Sequence, residues 1–230
     1  MTKEILHKII MNALKKVQHA YVKSNEGMRD VSISNEITNS PEKAFVPTRL
    51  VVPKYGEHGS NKGKSRLSEQ ELRFAFIEAF LKDKNSSEYL YSVETPTKER
   101  YYFGGGIPEI KKESKFRSGN FDVVIHNKEL KRVCLIEFKY GTDTSDFSKD
   151  FLKLGNPNEG ENESLRYFVH VIPKGNGGEF HDSLATLREK NKVRFMPVTY
   201  FPIDLSGQEL KDNVINLNTI EKTKKKTSNN

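Results

Sequence analysis

Three charged residues stand where a hydrophobic core would want none. Asp122 lies in the run Phe121-Asp122-Val123-Val124-Ile125, and Glu137 and Lys139 lie in Val133-Cys134-Leu135-Ile136-Glu137-Phe138-Lys139-Tyr140. Both runs read as buried strands. Successive side chains alternate between faces, so Glu137 and Lys139 share a face with Val133 and Leu135, while Cys134, Ile136, Phe138 and Tyr140 take the other. An unpaired buried charge costs several kcal/mol, roughly, so these groups need partners. A divalent cation suits the two carboxylates. Hydrolysing a phosphodiester needs an aligned water, charge stabilisation on phosphoryl oxygen and help for the leaving group, which hard cations on oxygen ligands supply. Asp122, Glu137 and the main-chain carbonyl of Phe138 form a partial Mg²⁺ site, with Mn²⁺ expected to substitute. Lys139 stands on the Glu137 face, where an ammonium can orient or deprotonate the attacking water or stabilise negative charge.

The elements that must position this group follow from local patterns. Ser68-Glu69-Gln70-Glu71 fits a capping box with Ser68 as N-cap, opening a helix to about Lys82 whose apolar stripe is Leu72, Phe76, Ala79 and Phe80. Glu69 sits at the N-terminal end of that stripe and is the third carboxylate expected to extend the metal site. Charge at a helix N-terminus explains it equally well, and Glu71 is the alternative. Tyr89–Val93 and Tyr101–Phe103 are expected to pair as a hairpin across Pro96. Downstream, 144–154 reads as a helix with Phe147, Phe151 and Leu154 on one face. Leu165–Ile172 reads as a strand, Glu179–Lys190 as a helix, and Val193–Phe201 as a strand interrupted by Pro197. Hairpin-connected strands followed by alternating helix and strand imply an α/β fold: a mixed central sheet flanked by helices, with an N-terminal helical extension.

That extension has a helical period over residues 2–22. Ile5, Ile9, Ala13 and Val17 line a stripe, with Lys8, Lys15 and Lys16 largely on the other side. It is expected to pack on the domain or on a partner. Residues 24–66 read mostly as loop, with a strand-like stretch over 45–52. The expected organisation is 1–66, N-terminal helix and basic loop; 67–205, the α/β domain; and 206–230, a C-terminal segment with a basic, disordered tail.

Net charge is +7 over 230 residues, which favours an acidic partner, nucleic acid first. Candidate phosphate contacts are Lys62 and Lys64 in the first loop, Lys112, Lys115 and Arg117 before the central strands, and Lys149 and Lys153 projecting from the following helix. The single cysteine, Cys134, excludes an internal disulfide framework and a cysteine-based zinc site, and fits a reducing, cytoplasmic compartment. No apolar run approaches the roughly 18 residues of a membrane span, and the N-terminal pattern, interrupted by Lys8, Asn12 and Lys15, is unlike a signal peptide. A lone strand histidine such as His170 is more often a satisfied core residue than a ligand. Gly104-Gly105-Gly106 is no P-loop, because no Gly-Lys-Ser/Thr follows.

A helix carrying Glu69, then Asp122, then Glu137-Phe138-Lys139 closing a hydrophobic strand resembles the PD-(D/E)XK nuclease superfamily, with its restriction-endonuclease-like αβββαβ core. Ser68-Glu69-Gln70-Glu71-Leu72 also resembles the start of the first helix in archaeal Holliday-junction resolvases of that superfamily. The resemblance covers roughly residues 67–172, with Phe121 where the family name implies proline. It implies Asp122 and Glu137 as Mg²⁺ ligands, Lys139 as the catalytic lysine and Glu69 as the helix glutamate. It further implies hydrolysis of DNA by an endonuclease, and leaves the setting open among restriction, other defence and repair. Cutting a duplex would favour a homodimer, and the N-terminal helix is where a larger complex would dock. The alternative is a module that keeps the fold and binds DNA, or assembles, without catalysis.

Overall fold

A computed structural model describes residues 1–25, 50–56, 66–103, 108–110, 117–141, 147–172, 181–191, 193–204 and 213–220. The chain forms two compact units divided between Ser87 and Glu88. The division falls later than the expected boundary at residues 66 and 67, and the capped helix belongs with the N-terminal helix.

The first unit holds α1 (Lys3–Asn25) and α2 (Glu69–Lys82). Helix α1 buries Leu6, Ile9, Ile10, Ala13, Leu14 and Val17, and α2 buries Leu72, Ala75, Phe76, Ala79 and Phe80. The α2 set contains the expected stripe, and the α1 set contains Ile9, Ala13 and Val17 of the expected stripe while Ile5 is half-buried; the two helices pack together. Ser68 is the N-cap of α2. The Ser68 amide donates to Glu71 Oε2 at 2.7 Å and the Gln70 amide donates to Ser68 Oγ at 3.3 Å, completing a capping box. One expectation is corrected here. Lys16 does not face outward from α1 but is buried, with its ammonium 3.1 Å from Glu78 on α2. Lys8 reaches Asp83 at 3.0 Å. Lys8 and Lys16 thus each meet an acid off the α2 stripe, and the buried stem of Lys16 covers apolar surface.

The second unit is an α/β layer structure. Its strands are β1 (Leu90–Tyr102), β2 (Glu109–Ile110), β3 (Arg117–His126), β4 (Arg132–Tyr140), β5 (Leu165–Ile172), β6 (Val198–Asp204) and β7 (Asn213–Ile215). They form one open mixed sheet in the order β2-β1-β3-β4-β5-β6-β7. The pairs β1–β3 and β3–β4 are antiparallel, β4–β5 and β5–β6 are parallel, and β7 returns antiparallel to β6. Helices α3 (Phe147–Gly155) and α4 (His181–Asn191) supply the crossovers of the parallel part. They close a core of Val124, Leu135, Phe147, Phe151, Leu154, Phe168, Leu184, Leu187 and Phe195. On the opposite face Val123, Ile125, Cys134, Ile136, Tyr167, Val169 and Val171 are equally buried. The near-continuous apolar runs of β4 and β5 answer to this two-sided burial.

Two further expectations are corrected. Tyr89–Val93 and Tyr101–Phe103 are not a hairpin but parts of one long strand. Pro96 sits in that strand beside a register shift, where, among the described residues, β3 is its only strand neighbour, the edge or bulge setting that tolerates proline. The strand expected over Val193–Phe201 begins only after Pro197.

A 3₁₀ turn at Pro157–Glu159 ties β1 to the end of α3. The fully buried Glu159 carboxylate accepts from the amides of Lys98 (2.7 Å) and Glu99 (3.0 Å), from Tyr101 Oη (2.6 Å) and from Arg132 Nη1 (3.2 Å). Four charge-assisted donors compensate its desolvation. Beside it Arg166 is buried and donates through Nη1 to the Leu154 and Asn156 carbonyls, closing the otherwise open C-terminal end of α3. Burial pushes this guanidinium down to about 10. Among the described residues no helix is long and apolar enough to cross a membrane.

Candidate functional site

The central strands are built from β-branched and aromatic residues that suit a pleated, covered sheet. Their antiparallel register runs Val123↔Ile136, Val124↔Leu135, Ile125↔Cys134. Asp122 and Glu137 are the next residues outward on the two strands. There the Phe138 amide donates to Asp122 Oδ2 at 2.7 Å, so a carboxylate holds the last amide of this strand pair. Glu137 shares the α3 face with Leu135 and is buried, whereas Phe138 turns its ring to the other face.

The partner of Glu137 comes from α3. Lys153 Nζ donates to Glu137 Oε1, to the Asn120 carbonyl at 2.8 Å and to Asp150 Oδ1 at 3.1 Å. An ammonium has three donors, and all three are used. The lysine is only 6% exposed. Its expected role as a phosphate contact projecting from the helix is therefore corrected, because its ammonium is turned into the protein. Helical spacing explains the inward turn: Asp150 lies three residues after Phe147 and Lys153 two after Phe151, so the acid falls on the buried stripe and the lysine on its border.

The segment Ser118–Asp122 is shaped around this lysine. A Cβ on Gly119 would stand 2.9 Å from Lys153 Cδ and 3.3 Å from the Phe103 ring, so glycine leaves room for the stem. Asn120 offers its carbonyl, and the Phe121 ring centroid lies 5.7 Å from Nζ.

The electrostatics are those of acids short of positive charge. Burial pushes the Glu137 carboxyl well above the usual carboxylate range, Asp150 and Asp122 push the same way, and Lys153 pulls it down. For Lys153, burial works against the ammonium, but Glu137 and Asp150 outweigh it and the group is held protonated.

Lys139 lies on the Glu137 face, in register with His170 on β5. His170 is fully buried. Its Nε2 is 2.6 Å from the Gly141 carbonyl and its Nδ1 is 2.9 Å from Tyr200 Oη. A carbonyl only accepts, so Nε2 carries the proton and Nδ1 accepts from tyrosine. Gly141 has φ +113°, a conformation that favours glycine, at the exit of β4. His170 thereby pins the end of the strand that carries Glu137 and Lys139. This is the satisfied core histidine that its strand position implies.

The other expected site residues are placed as follows. Glu69 is the first residue of α2, in the first unit, and Glu71 is engaged in the cap. Arg117 opens β3 and is exposed, and Lys149 is half-buried on α3. Lys62, Lys64, Lys112 and Lys115 lie outside the described residues. Sequence reasoning missed Asp150 and the Asn120 carbonyl. The acid was detectable as a charge on an otherwise apolar helix stripe, but a carbonyl leaves no sequence signal.

The donor chemistry around Glu137 is that of a hard-cation site: carboxylate oxygens and a main-chain carbonyl, buried, with the acid pushed toward neutrality by burial. Among the described residues no group of three or more His, Cys, Asp or Glu side chains could hold a metal ion, so a cation here would rely on two carboxylates, a carbonyl and water. Magnesium, which keeps several waters, accepts such a set. Comparison of the chain with protein-family models, curated proteins and solved structures finds no significant match.

Proposed function

We propose that this chain is a metal-dependent nuclease with a restriction-endonuclease-like αβββαβ core, hydrolysing phosphodiester bonds of DNA. One observation carries the reading. Asp122 and Glu137 stand at the outer end of the β3–β4 register, with Lys139 on the Glu137 face, in strands otherwise apolar on both sides. The order α2, β1, β3, β4, α3, β5 is compatible with that core. Asp122, Glu137 and the Phe138 carbonyl would hold Mg²⁺. When bound, the ion polarises a phosphoryl oxygen and lowers the pKa of a bound water. The chain's own part is positional. Asp122 orients the Phe138 peptide through its amide, and the His170–Gly141 bond fixes the end of β4. The Lys139 ammonium orients the attacking water on the Glu137 face and stabilises the negative charge gathering on the phosphoryl oxygens, while the water's proton passes to solvent as the oxygen–phosphorus bond forms. The 3′ oxygen leaves and is protonated from solvent.

The test is cleavage of supercoiled plasmid and short linear DNA with Mg²⁺, Mn²⁺ or EDTA. Removing one group that stabilises charge in the transition state costs about 10²–10³-fold. Lys139→Ala and Asp122→Ala are expected to lose metal-dependent cutting by that order while keeping the native circular dichroism. Undiminished cutting by either variant refutes the assignment.

A second reading is a DNA-binding or assembly module without catalysis. It is favoured by one observation: Lys153 already neutralises Glu137 without any metal. It expects DNA binding with no metal-dependent turnover.

A further inference from the structure

Lys153 makes, at Glu137, contacts of the kind that a hard cation would make, and the Glu137 carboxylate is common to its set and to the proposed Mg²⁺ set. Its three acceptors are a buried carboxylate, a second carboxylate and a main-chain carbonyl. Oxygen donors of these types are what Mg²⁺ or Mn²⁺ selects. The stem that delivers the ammonium is seated against Gly119, where even a methyl group would collide with it. Lys153 is also a positive influence acting on Glu137 against burial, Asp150 and Asp122. A divalent ion bound to Glu137 would stand within a few ångströms of an ammonium hydrogen-bonded to the same carboxylate. In a buried setting of low effective dielectric, two cations that close repel strongly.

We propose that Lys153 is a built-in occupant of the cation position at Glu137, so that divalent-cation binding and seating of the Lys153 ammonium are mutually exclusive. The inference rests on reading Glu137 as a cation ligand and adds a regulatory element to that site. The chain stays compact without metal because it carries its own cation. Metal enters only as the lysine is released from Glu137, Asp150 and the Asn120 carbonyl. The α3 lysine then becomes a free cation beside the metal, positioned by its helix rather than by the carboxylates.

The test uses the full chain stripped of metal and probes it with MnCl₂. Lysine acetylation by acetic anhydride, mapped by mass spectrometry, reads the state of each ammonium in the native protein. Lys153 is expected to be protected in EDTA relative to the exposed Lys82, and several-fold more reactive at saturating Mn²⁺, with Lys82 unchanged. In parallel, Mn²⁺ binding is followed by electron paramagnetic resonance. Lys153→Met is expected to bind Mn²⁺ roughly tenfold tighter than wild type, the order of effect of residues that act behind a metal ligand. Where the wild type binds no Mn²⁺, a gain of binding in Lys153→Met supports the proposal, and absence of binding in both overturns it. Equal or weaker binding by a folded Lys153→Met, or a Lys153 that stays protected in Mn²⁺-loaded wild type, also overturns it. The variant leaves two acids facing each other; if it fails to fold, the acetylation of wild type decides alone. The nuclease reading fails separately, on plasmid cleavage. A chain that cuts with Lys153 still protected refutes only the competition, and a chain that releases Lys153 to Mn²⁺ but cuts nothing refutes only the nuclease.

Discussion

A buried histidine that donates from one ring nitrogen and accepts at the other is a neutral histidine, and His170 is held that way. Burial depresses its pKa, the bond to the Gly141 carbonyl opposes this, and nearby Lys139 adds to the depression. An unfolded histidine titrates near about 6.5. Below that pH the unfolded chain takes up a proton that the folded chain refuses, so the unfolded state binds more protons and stability falls as pH falls. The contribution of His170 is complete above about pH 6.5 and is lost on acidification toward its depressed folded value. Urea denaturation at about pH 7.5 and about pH 5.5 is therefore expected to show a larger acid-induced loss in wild type than in His170→Gln, which can still donate to Gly141. The same pH slope in both proteins would show that another group titrates. Glu137 behaves in the opposite sense, being pushed up by burial, so only the difference between variant and wild type isolates His170.

At the scale of elements, the sharpest boundary is the start of α2. Ser68 and Glu71 satisfy each other's end of the helix. Ser68→Ala is expected to cost about 1 kcal/mol in urea denaturation, with the combined Ser68→Ala and Glu71→Gln change costing less than the sum of the two, because one reciprocal unit is lost either way. Additive losses would mean that the two side chains act separately. This boundary was legible because a capping box is a local pattern, read within four residues. The central strands were legible too: Phe121–Ile125 and Val133–Tyr140 fall within β3 and β4, since buried strands need uninterrupted apolar runs. What was not legible depends on distant partners. Pro96 marks a break in sequence, but it lies in a continuous β1 because the register shift beside it accommodates proline. Lys153 reads as a solvated helix lysine until the carbonyl of Asn120 and the carboxylate of Glu137 are brought to it by the sheet. Lys16 is the same case on α1, its acid supplied by another helix.

Across the whole molecule, the excess of positive charge belongs to the question of partners rather than of fold. With a net charge of +7, binding to duplex DNA is expected to weaken steeply between about 50 and 200 mM salt, by about 0.9 in log slope for each phosphate contacted. Fluorescence anisotropy with a short labelled duplex reads this directly; an affinity indifferent to salt would remove nucleic acid from the reading under either proposed function. The Glu159 knot has a consequence of another sort. Its partners lie 61, 60 and 58 positions earlier in the chain, at Lys98, Glu99 and Tyr101. A chain closing so long a loop loses its freedom before any of those bonds rewards it. Contacts of that kind are expected to form late on the way to the native state and to break early on the way out. On that order of events the carboxylate is a latch on the lifetime of the fold, and Glu159→Gln is expected to raise the unfolding rate in urea more than it lowers the refolding rate.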